Sequence, residues 1–305
     1  MGSPMGDDRF LASVAAALES DVLRRQRLGG GDVADSSQLE LADGRVVFAK
    51  THAAAPPGCF TTEAAGLEWM RATGAVAVPR VLAVSDGGDP EGAGPEGAAA
   101  EVPNFLVLEW IEEGRPTAAT EAELGRALAA MHAGGTQCFG RPDRRTTGSR
   151  GLPNEPCDTW AEFYATQRLL PLARLARDCG ALPEGVIGRL ERLAARLDAV
   201  GGPPEPPALL HGDLWAGNRL VDIAGRSWLI DPACHGGHRE FDLAMMRLFG
   251  GYGEACFASY ADRSPLAPGW QDRIALHQVA PLVVHAIKFG GGYVGAATSA
   301  IGAYR

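Results

Sequence analysis

Asp213, Asn218 and Asp231 stand within LLHGDLWAGNRLVDIAGRSWLIDPA, residues 209–233, the second five positions after the first and the third thirteen later. A carboxylate, an amide carbonyl and a second carboxylate form a set suited to Mg²⁺. That hard ion takes oxygen ligands and keeps room for water and phosphate. If Asn218 and Asp231 hold the metal, Asp213 is left to accept a proton, the division of labour of phosphoryl transfer to a hydroxyl. Kinase catalytic loops place their Asp and Asn at this same separation. Loops also collect Asp and Asn for turn chemistry alone, so the reading depends on what else the chain carries.

A phosphotransferase needs a cation on a strand for the α- and β-phosphates and a carboxylate to hold it. Lys50 ends VVFAK, and Glu63 follows near the start of the next helical stretch. Of the 28 Lys and Arg residues only two are lysine, Lys50 and Lys288, so a lysine at that strand end calls for a reason. Gly29, Gly30 and Gly31 lie where a phosphate-covering turn belongs. No Gly-Lys-Ser/Thr follows them, which excludes a Walker A loop. Glu109, Trp110 and Ile111 fall where an extended linker could offer backbone groups to an adenine edge.

The elements that must position these residues follow from the patterning. SSQLELADGRVVFAK alternates around Asp43-Gly44 and predicts a β-hairpin. TTEAAGLEWMRATG predicts a helix stopped at Gly74. PRVLAVSD and NFLVLEWI predict two strands, the second a continuous apolar run that should be buried. DGGDPEGAGPEGAAAE, between them, has no periodicity and is assigned a surface loop without chemistry. From Arg115 onward helices dominate, beginning with a capping box of Thr120 and Glu123. AEFYATQRLL should break at Pro171. ALL, RLV and WLI read as short strands around the Asp213–Asn218 loop and Asp231. The expected class is α+β: a mostly-β N-terminal nucleotide-binding lobe at 1–108, a hinge at 109–114 and a helical catalytic and acceptor-binding lobe at 115–305.

With those features in order, the chain resembles the fructosamine kinase (ketosamine kinase) family, which has a protein-kinase-like two-lobed fold. HGDLWAGN is similar to the family's HGDLWSGN, and IDPACHGGHREFDLAMMRLFGG to its second block; FTTEAAGLEWM, LGRALAAMH, CFGRP and WAEFYATQRL resemble further family stretches. The resemblance implies ATP- and Mg²⁺-dependent phosphorylation of the 3-hydroxyl of ketosamines, a deglycation step. It implies Asp213 as base, Asn218 and Asp231 as metal ligands, and Lys50 with Glu63 at the phosphates. Trp215, His238, Arg239 and Glu240 fall where acceptor contacts are expected, although Arg239 and Glu240 could instead pair with each other. Ala216, Ala34 and His235 depart from the family pattern, and His235 bears on acceptor preference. Arg, Ala and Gly usage, with the family's tendency, leans toward ribulosamines.

The net charge of −9 and pI near 5.3 disfavour broad nucleic-acid binding. No stretch reads as a membrane span or secretory signal, and the six singly placed cysteines suit a reducing, cytoplasmic setting. Two rivals remain: an aminoglycoside- or choline-type phosphotransferase with the same Asp–Asn–Asp logic, and a nucleotide-binding pseudokinase. The continuation DPACHGGHRE argues against the first, and the presence of Lys50, Asp213 and Asp231 against the second.

Overall fold

The computed structural model describes residues 4–29, 34–52, 55–56, 58–86, 103–143, 146–147 and 151–304. The N-terminal part comprises α1 (Pro4–Leu18), β1 (Val22–Leu28), β2 (Asp35–Leu41), β3 (Val46–Thr51), α2 (Cys59–Ala72), β4 (Val81–Ser85) and β5 (Phe105–Glu109). The five strands form one sheet in the order β1-β2-β3-β5-β4, every neighbouring pair antiparallel. The hairpin forms as expected, with Gly44 at φ +86° in its turn. The apolar run 105–108 is buried between β3 and β4.

Strand β1 is a correction to the sequence reading, which ran from a helix directly into the glycines. VLRRQRL carries charge on both faces of an edge strand, so no alternation announces it. Its register against β2 runs from Val22↔Leu41 to Leu28↔Ser36. Gly29 closes β1, while Gly30 and Gly31 lie outside the described residues, as does most of the Gly- and Ala-rich stretch before β5.

The C-terminal part contains α3 (Ala118–Ala133), β6 (Thr146–Thr147), β7 (Leu152–Pro153), α4 (Trp160–Phe163), α5 (Leu170–Asp178), α6 (Glu184–Ala194) and α7 (Leu197–Val200). There follow β8 (Ala208–Leu210), β9 (Arg219–Val221), β10 (Ser227–Leu229), β11 (His235–Gly237), α8 (Glu240–Leu248), α9 (Glu254–Arg263), α10 (Ile274–Phe289) and α11 (Gly292–Gly302). The capping box of α3 is Thr117 with Thr120, one turn earlier than Thr120 with Glu123: each threonine hydroxyl accepts the other's backbone N–H. Pro171 does not break its helix. A π-helical segment, Tyr164–Leu169, links α4 to α5, and the Gln167 carbonyl four residues before the proline accepts from the Arg168 guanidinium at 2.9 Å.

Three apolar clusters form the core. Phe10 and Val14 of α1 pack with Leu39, Val47 and Phe105 of the sheet. A large cluster fills the helical part around Phe163, Leu172, Leu190 and Val279. The third crosses between the parts: Phe60, Leu67 and Met70 of α2 share it with Leu124, Leu128, Leu209, Leu243 and Met246. The connecting segment is pinned as well, since Gly114 N–H donates to Val221 O and Ile223 N–H to Glu112 O. Among the described residues no helix is long and apolar enough to cross a membrane.

Candidate active site

The loop between β8 and β9 owes its shape to buried polar anchors. Asp242, wholly buried on α8, accepts the backbone N–H groups of His211 at 2.7 Å and Gly212 at 2.9 Å. His132 Nε2 lies 3.2 Å from the same carboxylate, and His132 Nδ1 is 2.8 Å from the Tyr260 hydroxyl. Burial alone would raise the Asp242 pKa, but these partners hold it below the usual carboxylate range. Gly212 sits at φ +82°, and a Cβ there would lie 2.2 Å from Ala233 O, so only glycine fits. His211 in turn places its Nε2 2.9 Å from Ile230 O. The loop and the exit of β10 are thereby tied together.

Asp213 and Asn218 face each other within that loop. Asn218 donates through Nδ2 to the Asp213 carbonyl at 2.8 Å and to Asp213 Oδ2 at 3.1 Å. Both bonds use the nitrogen, so the amide oxygen is the end a cation could take. Burial, then the neighbouring charge of Asp231, raises the Asp213 pKa to about 7 against the pull of Asn218. Lys288 on α10 also acts on Asp213, lowering it.

Asp231 adopts φ +54°, a left-handed conformation that Asp tolerates better than most residues. That turn presents Oδ1 to Lys50 Nζ at 2.7 Å. Lys50 is equally close to Glu63 Oε2, at 2.7 Å, and so bridges β3, α2 and the Asp231 turn. Burial opposes the ammonium charge, but the two carboxylates outweigh it and keep Lys50 protonated. The opposite balance holds at Glu63, where burial and the Asp231 charge lift the pKa to about 7. Glu63 Oε1 is buried without a hydrogen-bond partner. Asp231 is ringed by protein, yet 45 % of its side chain reaches solvent from the floor of a cleft.

A cavity of about 230 Å³ opens from Asp231. Leu28, Phe48, Leu108, Leu220 and Ile230 supply apolar walls, with Gly29, Glu109, Trp110 and Ile111 along its rim. The lining of this slot is mostly apolar, with the carboxylates of Glu109, Glu113 and Asp231 included in it. A larger, open hollow of about 700 Å³ lies between α1 and the β2–β3 turn, lined by Ala12, Ala16, Asp21 and Asp43. It holds none of the residues just described.

The profile described as fructosamine kinase matches residues 10–304. The chain belongs to the fructosamine kinase family. Its relatives include a probable ketoamine kinase of Synechocystis, 37 % identical over 89 % of this chain and 87 % of that protein. The chloroplastic protein-ribulosamine 3-kinase of Arabidopsis thaliana is 33 % identical over 91 % and 81 %. A Thermobifida fusca crystal structure named for fructosamine-3-kinase superposes with a TM-score of 0.84 at 38 % identity, covering 96 % of this chain and 97 % of that one. An aminoglycoside phosphotransferase in complex with AMP-PNP and hygromycin B shares the fold at TM-score 0.62 and 16 % identity, over 96 % and 98 %. The α+β protein-kinase-like architecture is therefore that of this family and of phosphotransferases more widely.

Within this fructosamine kinase family member, the structure brings Lys50, Glu63, Asp213, Asn218 and Asp231 to one cleft and places Gly29, Glu109 and Ile111 along the slot. It separates the four expected acceptor residues. Trp215 is 36 % exposed beside the loop, its ring folded over Gly217, where a Cβ would clash, and edge-on to Phe249 at 5.9 Å. Arg239 and Glu240 are not each other's partners: Arg239 grips Glu205 at 2.7 and 2.9 Å, and Glu240 grips Arg273. His238 and Glu240 are buried. Ligand atoms of His238, Glu240 and His277 lie within 4.8 Å of one another, as a metal site would require. However, His238 Nδ1 accepts the Glu240 N–H, which leaves the proton on Nε2, while Arg273 occupies both Glu240 oxygens. His235 is buried against Phe163, ring centroids 5.2 Å apart, and so fills an aromatic's place.

Sequence reasoning missed Asp242, His132 and Tyr260, which sit within apolar helical patterns, and the slot walls Leu28, Phe48, Leu220 and Ile230. Asp242 had one signal, a carboxylate in the otherwise apolar run FDLAMM.

Proposed function

We propose that this protein transfers the γ-phosphoryl group of ATP to the 3-hydroxyl of a ketosamine. The observation that carries the reading is the meeting of the Glu63–Lys50–Asp231 ion triad with the Asp213–Asn218 pair at the end of a mostly apolar slot. The slot suits the adenine, with the 109–114 linker as hinge and Gly29, at the end of β1, on the side where the phosphates would lie. Lys50 holds the phosphate oxygens and is itself oriented by Glu63. Asp213 accepts the proton of the 3-hydroxyl as its oxygen attacks phosphorus and the bond to ADP breaks; the proton ends on Asp213 and the phosphate on the sugar.

The donor set fits Mg²⁺: the Asn218 carbonyl, the Asp231 oxygen that Lys50 does not occupy, and the orphaned Glu63 Oε1 as a place for a water proton. Bound there, the ion would neutralise charge on the transferring phosphate.

An aromatic wall supports a ketosamine acceptor. Trp215 continues through Phe249 to His285, Phe289 and Tyr293, with ring centroids 4.9–6.4 Å apart along the series and Phe249 and Phe289 exposed. These faces suit a sugar ring and a protonated amine, and the wall contains no carboxylate of the kind a polycationic aminoglycoside would seek. His238, Arg239 and Glu240 are held instead by Glu205, Ser264, Arg273 and His277, and are assigned no contact with the acceptor.

The deciding experiment is Mg²⁺-dependent ADP release with ribulosyl-lysine, fructosyl-lysine and an aminoglycoside, with Asp213→Asn as control. Turnover on a ketosamine that the variant loses supports the proposal, and ribulosyl-lysine should be the faster of the two. Turnover on the aminoglycoside alone, or on none while ATP still binds, overturns it.

A further inference from the structure

We propose that Arg141 is a positioning residue that clamps α2 to the Asp231 turn and thereby keeps Lys50, Glu63 and Asp231 assembled. Its guanidinium is 1 % exposed, among the largest side chains buried so completely. Nη1 lies 3.3 Å from the Thr62 carbonyl on α2, one residue before Glu63, and 3.5 Å from the Cys234 carbonyl, three residues after Asp231. Nε and Nη2 donate to Asp143 at 2.9 and 3.2 Å, which balances the charge and aims the fork. The Trp69 ring, further along α2, covers the guanidinium at 5.3 Å. One cation thus touches both segments that supply carboxylates to Lys50.

The backbone that delivers Arg141 is equally committed. Gly140 sits at φ +102°, where a Cβ would lie 2.7 Å from Glu155 O, and it exchanges two backbone hydrogen bonds with Gly236. A second contact runs parallel to the clamp: Cys234 Sγ lies 3.5 Å from Gly66 O, and a Cβ on Gly66 would approach Cys234 to 3.3 Å. Helix α2 is therefore seated on the turn after Asp231 by a guanidinium, a thiol and a glycine-width gap.

The proposal rests on reading Lys50 and Glu63 as the phosphate-binding pair, and a double-mutant cycle separates the two claims. Arg141→Ala should lower kcat/KM for ATP about 10- to 100-fold, the scale of a lost hydrogen bond to a charged group. In a Glu63→Gln background the same substitution should cost several-fold less than in the parent, because one of the two carboxylates that the clamp brings to Lys50 is already neutral. Its effect on melting temperature should be the same in both backgrounds. Should Arg141→Ala fail to fold, Arg141→Lys, which keeps the charge but not the fork, carries the same cycle. Kinetic effects that multiply overturn the clamp and leave the pair standing. Unchanged ATP kinetics in Glu63→Gln alone overturn the pair, and the clamp with it.

Discussion

Asp213 and Glu63 share an environment that lifts both carboxyls to about 7, from ordinary values of 3.8 and 4.5. For a general base this sets a pH window: kcat/KM should rise from pH 6 to 8 with an acid limb near 7. Asp213→Asn should lose roughly 10²- to 10⁴-fold in turnover and flatten that limb; a full-sized limb in the variant would assign it elsewhere. The raised values also set the sign of a stability effect. Between about pH 4 and 7 the folded protein holds protons that the unfolded chain has released. The stability these carboxyls contribute is present below about pH 4 and is lost as pH rises through 7. At pH 8, without metal or nucleotide, Asp213→Asn should therefore melt about 2–4 °C above the parent, a shift that thermal denaturation would read directly. Residue identities such as these were open to sequence reasoning, because Lys50, Asp213, Asn218 and Asp231 carry groups that a phosphoryl transfer requires by type.

At the scale of elements, the chemistry depends on how α8 holds the loop between β8 and β9. Asp242→Asn keeps the volume but turns an amide toward two backbone donors and His132. Breaking such a buried charged anchor should cost about 3–5 kcal/mol of stability. It should also cut kcat by up to about 10², since a loop displaced by an ångström misplaces Asp213, the proposed base. Urea denaturation beside ADP release would check both; lost stability with intact turnover would show that the loop holds its shape without the anchor. Sequence patterning located this loop and its flanking strands because short apolar runs bounded the polar residues. It missed the anchor, because a helix-borne Asp within FDLAMM shows no partner until tertiary folding brings two loop N–H groups to it. Strand β1 escaped for a related reason: an edge strand with charge on both faces is defined by its neighbour rather than by alternation.

Over the whole molecule, the apolar cluster that joins α2 to α3, β8 and α8 makes the two lobes one cooperative structure. Calorimetry should show a single unfolding transition. Leu67→Ala, at a fully buried position in that cluster, should lower the whole transition, at a cost of about 2–5 kcal/mol. A lobe that melted separately would contradict this. The sequence by itself determined the α+β class and the five charged or polar residues of the cleft, which follow from residue type, spacing and local periodicity, and the family, through the resemblance of its motifs. Only the tertiary structure decided that Arg239 and Glu240 pair with Glu205 and Arg273, that Trp215 opens an aromatic wall, and that Arg141 reaches α2. Those contacts join residues distant along the chain, and a buried ion finds its partner through packing geometry that no local pattern encodes.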